Sequence, residues 1–349
     1  MNEKSLSVAC LIPPHYDYLC STVIEGLNEL GHRCLALEAS NYAIQVSNVY
    51  FNNFIKESDI VLVFSGNLVD TSPLKYVNKR SIIAFVDGTD LPEVATMPPI
   101  EFNLIFKREL LAGTKKLLGD RIVGLQFGIE KRYLSGVKKN KSIKLSFVGS
   151  MSNFLRSTVH QELLSIDDPE IFSGGTGEIA YDGINGYAKD TPKYFSILQN
   201  SLASVDVPGR GWDCGRTWEI IGSGAALIKY RSPLISQIGL IEEEHYFGFS
   251  NLDELHSLWI KLSSGSPKFL NVAEHCLEFS LNNHTTKARA QQLLDALIST
   301  DLHNKFSPST VGLPVAKSLF DGKDRLKRVA YRILRYGYNR AKKIIPTAN

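Results

Sequence analysis

Short apolar runs alternate with amphipathic stretches along most of this chain, and that alternation restricts the folds that it can adopt. Six runs in the first 130 residues are predicted to be strands: Leu6–Ile12, Cys34–Leu37, Asp59–Phe64, Ser81–Val86, Asn103–Phe106 and Ile122–Phe127. Between the first two, Tyr18–Leu30 carries apolar residues at helical spacing and is closed by Gly31. Strands that alternate with helices predict an α/β fold, with a parallel sheet covered by helices on both faces.

A polar segment followed by a second cycle of strands and helices indicates a second α/β domain. Residues 131–144, KRYLSGVKKNKSIK, are predicted to be a linker. Glu130 just before them is either a site residue or a linker charge, and we favour the linker charge. The later strands are predicted at Leu145–Val148, Ala203–Val207, Ala225–Lys229 and His245–Phe249. The later helices are predicted at Pro192–Gln199, Gly215–Ile221, Leu252–Leu262 and Thr285–Ile298, with one more through Val159.

These elements predict two domains, at 1–135 and 143–300, followed by a loop and a helix in 301–349. In open parallel sheets, ligands bind beyond the carboxyl ends of the strands. Two such domains that face each other are therefore expected to hold their ligand in the cleft between them.

The cysteines and the hydropathy pattern bear on the compartment. Five cysteines, an odd count with no C-x-x-C pair, argue against a disulfide framework and a thiolate zinc site, and they favour a reducing compartment. No apolar run approaches the roughly 20 residues of a membrane-spanning helix, and the N-terminus lacks the features of a signal peptide. We therefore expect a cytoplasmic protein, or one bound to the inner face of a membrane.

The net charge of +3 is unevenly distributed. Residues 321–345 contain nine Lys/Arg and two Asp, a net charge of +7, whereas the rest of the chain carries 30 basic and 34 acidic residues. Residues 324–345 also carry an apolar stripe at helical spacing, which predicts a basic amphipathic helix. That helix either meets an anionic membrane surface or packs back on the first domain. A dedicated nucleic-acid binder is not expected, because its positive charge would lie on the folded body.

The segment WDCGRTWEIIGSGAALIK, residues 212–229, is the most informative part of the chain. The turn at Cys214-Gly215 opens a short helix that carries Arg216 and Glu219, three residues apart and hence on one face. A helix N-terminus beside an arginine favours an anion such as a diphosphate, and Glu219 could accept hydrogen bonds from a ribose diol. The alternative is an intrahelical ion pair, which contributes only about 0.3–0.5 kcal/mol.

Several motifs in this half resemble those of one family. RTWEIIGSGAALI resembles the R-x-x-E-x-x-x-x-G-x-x-hydrophobic block in the C-terminal domain of GT-B glycosyltransferases, and most closely that of the CgeB-like group. The stretches EEEHYFGFSNLDEL and HTTKARA, and FVGS followed by Arg156, resemble further blocks of that group in the same order. The similarity covers about residues 145–297.

The resemblance implies two Rossmann-like domains that face a central cleft, with a nucleotide-sugar donor held mainly by the second domain. It assigns the donor ribose to Glu219 and the diphosphate or sugar to Arg216. Backbone N–H groups at Gly149, Ser150 and Gly215 would face phosphate. Arg156 would assist them, or would be a surface cation on its helix.

The resemblance also implies catalysis without a cofactor or a catalytic metal ion. Consistently, no convincing D-x-D loop occurs in the sequence. Retaining members of related families carry a second glutamate eight residues before the first; here that position is Gly211, so the stereochemical outcome is left open.

The acceptor hydroxyl requires a general base, expected at a carboxyl end of the first sheet. The candidates are Asp87, Asp90 and His15, for which the alternatives are a turn former, a turn cap and a local hydrogen bond. Trp212 and Trp218 are placed along the cleft or in the core.

The expected activity is a hexosyltransferase-like transfer of a sugar to a hydroxyl of a glycan or a lipid-linked glycan. It would belong to polysaccharide biosynthesis. The alternatives are a non-catalytic nucleotide- or glycan-binding protein on the same scaffold, and a sugar-nucleotide epimerase.

Overall fold

The structure is a computed structural model, and it describes residues 5–14, 17–37, 44–66, 68–175, 181–182, 187–188, 191–234, 239–300 and 304–315. The first half forms a parallel sheet of seven strands in the order β3-β2-β1-β4-β5-β6-β7. Its strands are β1 (Ser7–Leu11), β2 (Arg33–Ala36), β3 (Ile44–Gln45), β4 (Ile60–Phe64), β5 (Ile82–Asp87), β6 (Leu104–Lys107) and β7 (Ile122–Gly124). All six predicted strands are therefore confirmed, with β7 shorter than predicted.

Helices α1 (Tyr18–Glu29), α2 (Asn48–Glu57) and α3 (Ala112–Leu118) connect these strands. Helix α1 begins where Asp17 accepts a hydrogen bond from the Cys20 N–H, at 2.9 Å. It ends before Gly31, whose φ of +82° lies in the left-handed region that favours glycine. The α1 prediction is confirmed, whereas α2 and α3 were not predicted.

The second half contains a parallel sheet of five strands in the order β14-β13-β12-β8-β9. Its strands are β8 (Ile143–Gly149), β9 (Ile171–Gly175), β12 (Ser201–Asp206), β13 (Ala226–Tyr230) and β14 (Phe247–Phe249); β10 (Tyr181–Asp182) and β11 (Tyr187–Ala188) pair separately and antiparallel. The helices are α4 (Phe154–Ser165), α5 (Thr191–Asn200), α6 (Gly215–Gly222), α7 (Leu252–Ser263), α8 (Lys268–Asn283) and α9 (Thr286–Ile298). Every strand and helix predicted for this half is present, and β9, β10, β11 and α8 are additional.

The chain crosses between the two sheets at two adjacent places. Ile129 on the first crossing donates its N–H to the His284 carbonyl on the second, at 2.8 Å, and its carbonyl accepts from the Thr286 N–H at 3.2 Å. Helix α9 then packs against α1, so that its apolar side chains join the core of the first half. The predicted domain boundaries assign α9 to the second domain, 143–300. In the structure, the apolar face of α9 is buried in the first domain.

Residues 131–144 are not the free linker that the sequence suggests. The Tyr133 side chain is buried, and Lys141 Nζ donates to the carbonyls of Gln199 and Gly224 at 2.8 and 3.2 Å. Apolar side chains and backbone carbonyls of the second domain therefore hold this segment in place.

All five cysteines are buried and free. Within the described ranges, no helix is long and apolar enough to cross a membrane, and no cluster of three metal-ligating side chains occurs. The basic helix predicted at 324–345 lies outside the described residues.

Candidate functional site

A cavity of about 410 Å³ opens between the carboxyl ends of the two sheets, and both halves of the chain line it. Seven of the nine predicted site residues line it: Asp90, Gly149, Ser150, Arg156, Gly215, Arg216 and Glu219. Asp87 does not, and His15 lies outside the described residues. Its size and its position at the ends of parallel strands are typical of a small-molecule site.

Arg216 lies on the floor of the cavity, and one of its nitrogens has no hydrogen-bond partner. Its side chain is only 9% exposed, and Nη1 is buried without a hydrogen-bond partner. The guanidinium rests against Gly149, where an added Cβ would lie 2.0 Å from Nη2. Because a buried donor without a partner is costly, this geometry is suited to an anionic ligand.

A buried ion pair stands behind Arg216. Asp206, at the end of β12, accepts from Lys229 Nζ and from Thr217 Oγ1, each at 2.5 Å. Its other oxygen, Oδ1, lies 3.8 Å from Arg216 Nη1. Burial alone would raise the pKa of Asp206, but the charges of Lys229 and Arg216 hold it below its ordinary value. One carboxylate thus faces two cations, so the cluster keeps a net positive charge.

Arg156 holds the cavity wall together. Its Nε and Nη2 donate to the Val207 carbonyl, both at 3.1 Å, and Nη1 donates to the carbonyl and hydroxyl of Ser150 at 3.2 and 3.1 Å. These bonds tie the turn after β8 to the loop after β12. Burial and the charge of Arg216 lower the pKa of Arg156. Protein oxygens thus accept from this guanidinium, which is buried and lines the cavity, so Arg156 is not the surface cation that the alternative proposed.

Glu219 is held by a neighbouring helix rather than by Arg216. Its Oε2 accepts from the hydroxyl of Tyr194 on α5, at 2.5 Å. Burial, followed by the charge of Glu219, raises the pKa of Tyr194 well above its ordinary value, so the phenol stays protonated as a donor. No ion pair joins Glu219 to Arg216, both of which are described, so the intrahelical pair that their spacing allows is not formed.

The N-terminus of α6 is open to the cavity. Cys214 occupies the capping position but makes no side-chain cap, and it lines the cavity together with Gly215. Gly215 also packs closely on α1, because a Cβ there would lie 2.8 Å from the ring of Tyr18. The first N–H groups of a helix have no intrahelical acceptor, so this end offers donors to an anion.

Asp87 and Asp90 have different roles in the structure. Asp87 is fully buried: Oδ1 accepts from Thr89, Oδ2 accepts from the Ala95 N–H at 2.7 Å, and Lys107 Nζ lies 3.1 Å away. Asp87 is therefore a structural carboxylate, as the turn-former alternative proposed, and an acceptor hydroxyl has no route to it. The Asp90 side chain is 45% exposed, lines the cavity and pairs with Arg108.

Arg108 and Glu109, which sequence reasoning missed, connect the two halves across the cavity. Arg108 donates to the Gly88 carbonyl at 3.0 Å and to the Asp213 carbonyl in the loop before α6. The carboxylate of Glu109 accepts from the N–H groups of Trp212 and Asp213, both at 3.1 Å. The sequence feature that could have identified them is the pair of charged residues directly after β6. It lies at the carboxyl end of a parallel strand, where ligands bind.

Three further side chains singled out from the sequence lie outside the cavity lining. Trp218 is a core residue, and its Nε1 donates to Asp213 Oδ1 at 3.0 Å. Trp212 is partly exposed and does not line the cavity. Glu130, interpreted as a linker charge, is fully buried beside Arg132, and burial raises its pKa to about 7.

No protein-family model matches this sequence, and neither does any curated protein. Among solved structures, the chain is similar to HepE of Anabaena in complex with UDP and glucose: 10% identity, TM-score 0.57, 84% of this chain and 100% of that chain. It is similar to a glycosyltransferase of Rickettsia africae at 11% identity and TM-score 0.56, over 84% and 98% of the chains. HepE in complex with UDP-glucose gives 8% identity, TM-score 0.56, and 84% and 100% coverage. At these identities the similarity establishes the fold, which is GT-B: two Rossmann-like α/β domains facing a central cleft.

Proposed function

We propose that this chain is a glycosyltransferase that moves a sugar from a nucleotide-sugar donor to a hydroxyl of an acceptor. The observation that carries the proposal is the unpartnered Nη1 of Arg216, one helical turn from the cavity-facing carboxylate of Glu219. A ligand that matches both groups carries an anionic group and neighbouring hydroxyl groups, as a nucleoside diphosphate does with its diphosphate and ribose.

The positive floor of the cavity suits a diphosphate leaving group. Arg216 would donate to it from the side chain, and the N-terminus of α6 at Gly215 would donate from the backbone. The turn at Gly149 and Ser150, held by Arg156, would bring further N–H groups to the same place. Donors that are fixed before reaction stabilise charge as it develops on the departing diphosphate, and we propose that they do so without a metal ion or cofactor.

The donor class and the acceptor are narrower parts of the proposal. Similarity in fold to proteins solved with UDP and UDP-glucose supports a nucleotide sugar, and the R-x-x-E block supports a hexosyltransferase of the CgeB-like group. We propose a glycan or lipid-linked glycan of a polysaccharide pathway as the acceptor. The basic stripe in 324–345 would bring a cytoplasmic enzyme to an anionic membrane that carries such an acceptor.

Asp90 is the proposed general base. Among the described candidates it alone lines the cavity with an exposed carboxylate, and its pairing with Arg108 orients that carboxylate. Asp90→Asn should therefore abolish most turnover while leaving nucleotide affinity close to that of the wild type. Equal turnover in Asp90→Asn and in the wild type would remove Asp90 from this role.

The first experiment is a thermal-shift screen with UDP, GDP, CMP, ADP and dTDP on the wild type and on Glu219→Ala. A ligand at 100 times its Kd stabilises a protein by about 2.7 kcal/mol. We expect one nucleotide to stabilise the wild type, with a smaller effect in Glu219→Ala. If no nucleotide stabilises the wild type, the proposal fails.

Turnover then separates the activities that share this scaffold. The matching sugar nucleotide is incubated with and without a glycan or lipid-linked glycan acceptor, and both the nucleoside diphosphate released and the sugar are followed. Acceptor-dependent release supports a transferase. An isomerised sugar nucleotide without acceptor indicates an epimerase, and binding without either change indicates a non-catalytic binding protein.

A further inference from the structure

Arg216 and Glu219 should attract each other, yet the structure keeps them apart. Opposite charges three residues apart on a helix lie close enough to pair. Such a pair would satisfy both groups and leave neither for a ligand. Instead, Glu219 is held by Tyr194 on α5, and Arg216 is held between Asp206 and Gly149.

We propose that Tyr194 is a positioning residue that keeps Glu219 from pairing with Arg216, so that both groups remain available to the donor. The inference rests on the proposed function, because it deepens the account of the same cavity. It assigns to Tyr194 a role that neither the R-x-x-E spacing nor the α6 helix alone provides.

The Tyr194 ring is fixed well enough to act in this way. It is buried in the core of the second half, and it packs edge-on against Tyr133, with centroids 6.5 Å apart and planes at 82°. The phenol of a buried, wedged ring has few positions open to it. Its hydroxyl donates to Glu219 Oε2 at 2.5 Å, and its raised pKa keeps the proton on the phenol.

Arg216 has a matching anchor on its other side. Asp206 Oδ1 lies 3.8 Å from Nη1, close enough to attract the guanidinium but too far to satisfy it as a hydrogen-bond acceptor. The absent side chain of Gly149 leaves the space that Nη2 occupies. Tyr194 thus holds Glu219 by a hydrogen bond, while Asp206 attracts Arg216, so each member of the R-x-x-E motif interacts with a different neighbour.

Tyr194 lines the cavity, and loss of its phenol hydroxyl should harm the anion site through the release of Glu219. In Tyr194→Phe, Glu219 loses the donor that the described structure gives it, and Arg216 is a cation on the same helix face. The new pair neutralises Arg216 and weakens its contact with a phosphate. Removing Glu219 as well leaves Arg216 without a carboxylate to pair with on this helix. The second substitution should therefore restore the phosphate affinity that Tyr194→Phe lowers.

The test is calorimetric titration of inorganic pyrophosphate and of UDP into the wild type, Tyr194→Phe, Glu219→Ala and the double variant. We expect Tyr194→Phe to bind pyrophosphate about tenfold more weakly than the wild type, the change produced by about 1.4 kcal/mol. Glu219→Ala should bind pyrophosphate at least as tightly as the wild type. The double variant should match Glu219→Ala, because its Arg216 has no carboxylate to pair with.

Tyr246→Phe is the matched control, since it removes a phenol from the same core without reaching the cavity. If Tyr194→Phe binds pyrophosphate like Tyr246→Phe, or if the double variant binds no more tightly than Tyr194→Phe, the inference is overturned. A wild type that binds neither pyrophosphate nor UDP refutes the proposed function instead.

A crystal structure of Tyr194→Phe tests the geometry without any ligand. The inference predicts a Glu219 oxygen within about 4 Å of an Arg216 nitrogen, the distance of an ion pair. A Glu219 carboxylate that keeps its wild-type position without the phenol would overturn the inference, whatever the binding results.

Discussion

Replacing Gly149 by alanine should weaken nucleotide binding without removing the fold. A Cβ at this position would lie 2.0 Å from Arg216 Nη2, whereas an ordinary contact begins at 3.4 Å, so Nη2 must move by about 1.4 Å. The backbone at Gly149 is not in the left-handed region, so alanine itself is allowed there. The guanidinium that has to move is the far end of a flexible side chain, and we therefore expect a smaller effect on stability than on binding.

The size of the binding loss follows from what Arg216 provides. A shift of that size breaks a charge-assisted hydrogen bond, which contributes about 1.5–3 kcal/mol. The affinity for UDP should therefore fall by roughly 10- to 150-fold. Calorimetric titration measures this loss, and a thermal melt of the same sample measures stability.

Two further variants make the prediction specific. Gly113→Ala, in α3, introduces a Cβ with nothing within 4 Å, so it should bind UDP normally and be slightly more stable. In an Arg216→Ala background, Gly149→Ala should cost nothing more, because the side chain that the Cβ displaces is absent. If Gly149→Ala binds UDP as tightly as the wild type, or still weakens binding without Arg216, the reasoning is refuted.

Three other substitutions test the packing and the buried charges. In urea denaturation, Gly26→Ala should destabilise the protein by about 1–3 kcal/mol, because its Cβ would lie 2.0 Å from the Thr286 carbonyl where α1 meets α9. Asp206→Asn should cost about 3–5 kcal/mol by leaving Lys229 buried without a counter-charge. Since Glu130 has a pKa of about 7 when folded and 4.5 otherwise, its contribution to stability should fall by at most about 3 kcal/mol from pH 4.5 to 7. Glu130→Gln should remove that contribution from the pH dependence.

Each of these has a control at an exposed position. The controls are Gly113→Ala for Gly26, Asp120→Asn for Asp206 and Glu101→Gln for Glu130. Asp120→Asn and Glu101→Gln should leave stability within about 0.5 kcal/mol of the wild type, and Gly113→Ala should raise it slightly. Wild-type stability for Gly26→Ala would contradict the close helix contact. An Asp206→Asn variant as stable as Asp120→Asn would contradict the buried pair, and a Glu130→Gln variant with the wild-type pH dependence would contradict the assignment to Glu130.

The sheets were predictable because buried parallel strands are nearly continuous apolar runs. Ile60–Phe64 and Ile82–Asp87 stand out for that reason, since helices cover both faces of their sheet. Helix α8 was not predicted, although its buried residues Phe269, Val272, Ala273, Cys276 and Leu277 recur at helical spacing, so the sequence did carry the signal for it. The packing of α9 on α1 could not be read from the chain, because it depends on a close approach at Gly26 that only the folded structure reveals.

The site was predictable where one short segment carried the chemistry. Arg216 and Glu219 share a helix face, so their spacing alone placed them together in the cavity. Asp206, Lys229 and Tyr194 come from separate elements, and only the fold brings them to α6. Asp87 and Asp90 both follow the predicted strand Ser81–Val86 and were equally good candidates for the general base in the sequence. Only the structure shows that Asp87 is buried and that Asp90 faces the cavity.

The most direct measurement of the central claim is a crystal structure of the chain with the nucleoside diphosphate chosen by the thermal-shift screen. We predict the diphosphate within hydrogen-bond distance of Arg216 Nη1 and of the first N–H groups of α6, with the ribose hydroxyls on Glu219. A nucleotide bound elsewhere, or one whose diphosphate points away from Arg216, would contradict the account.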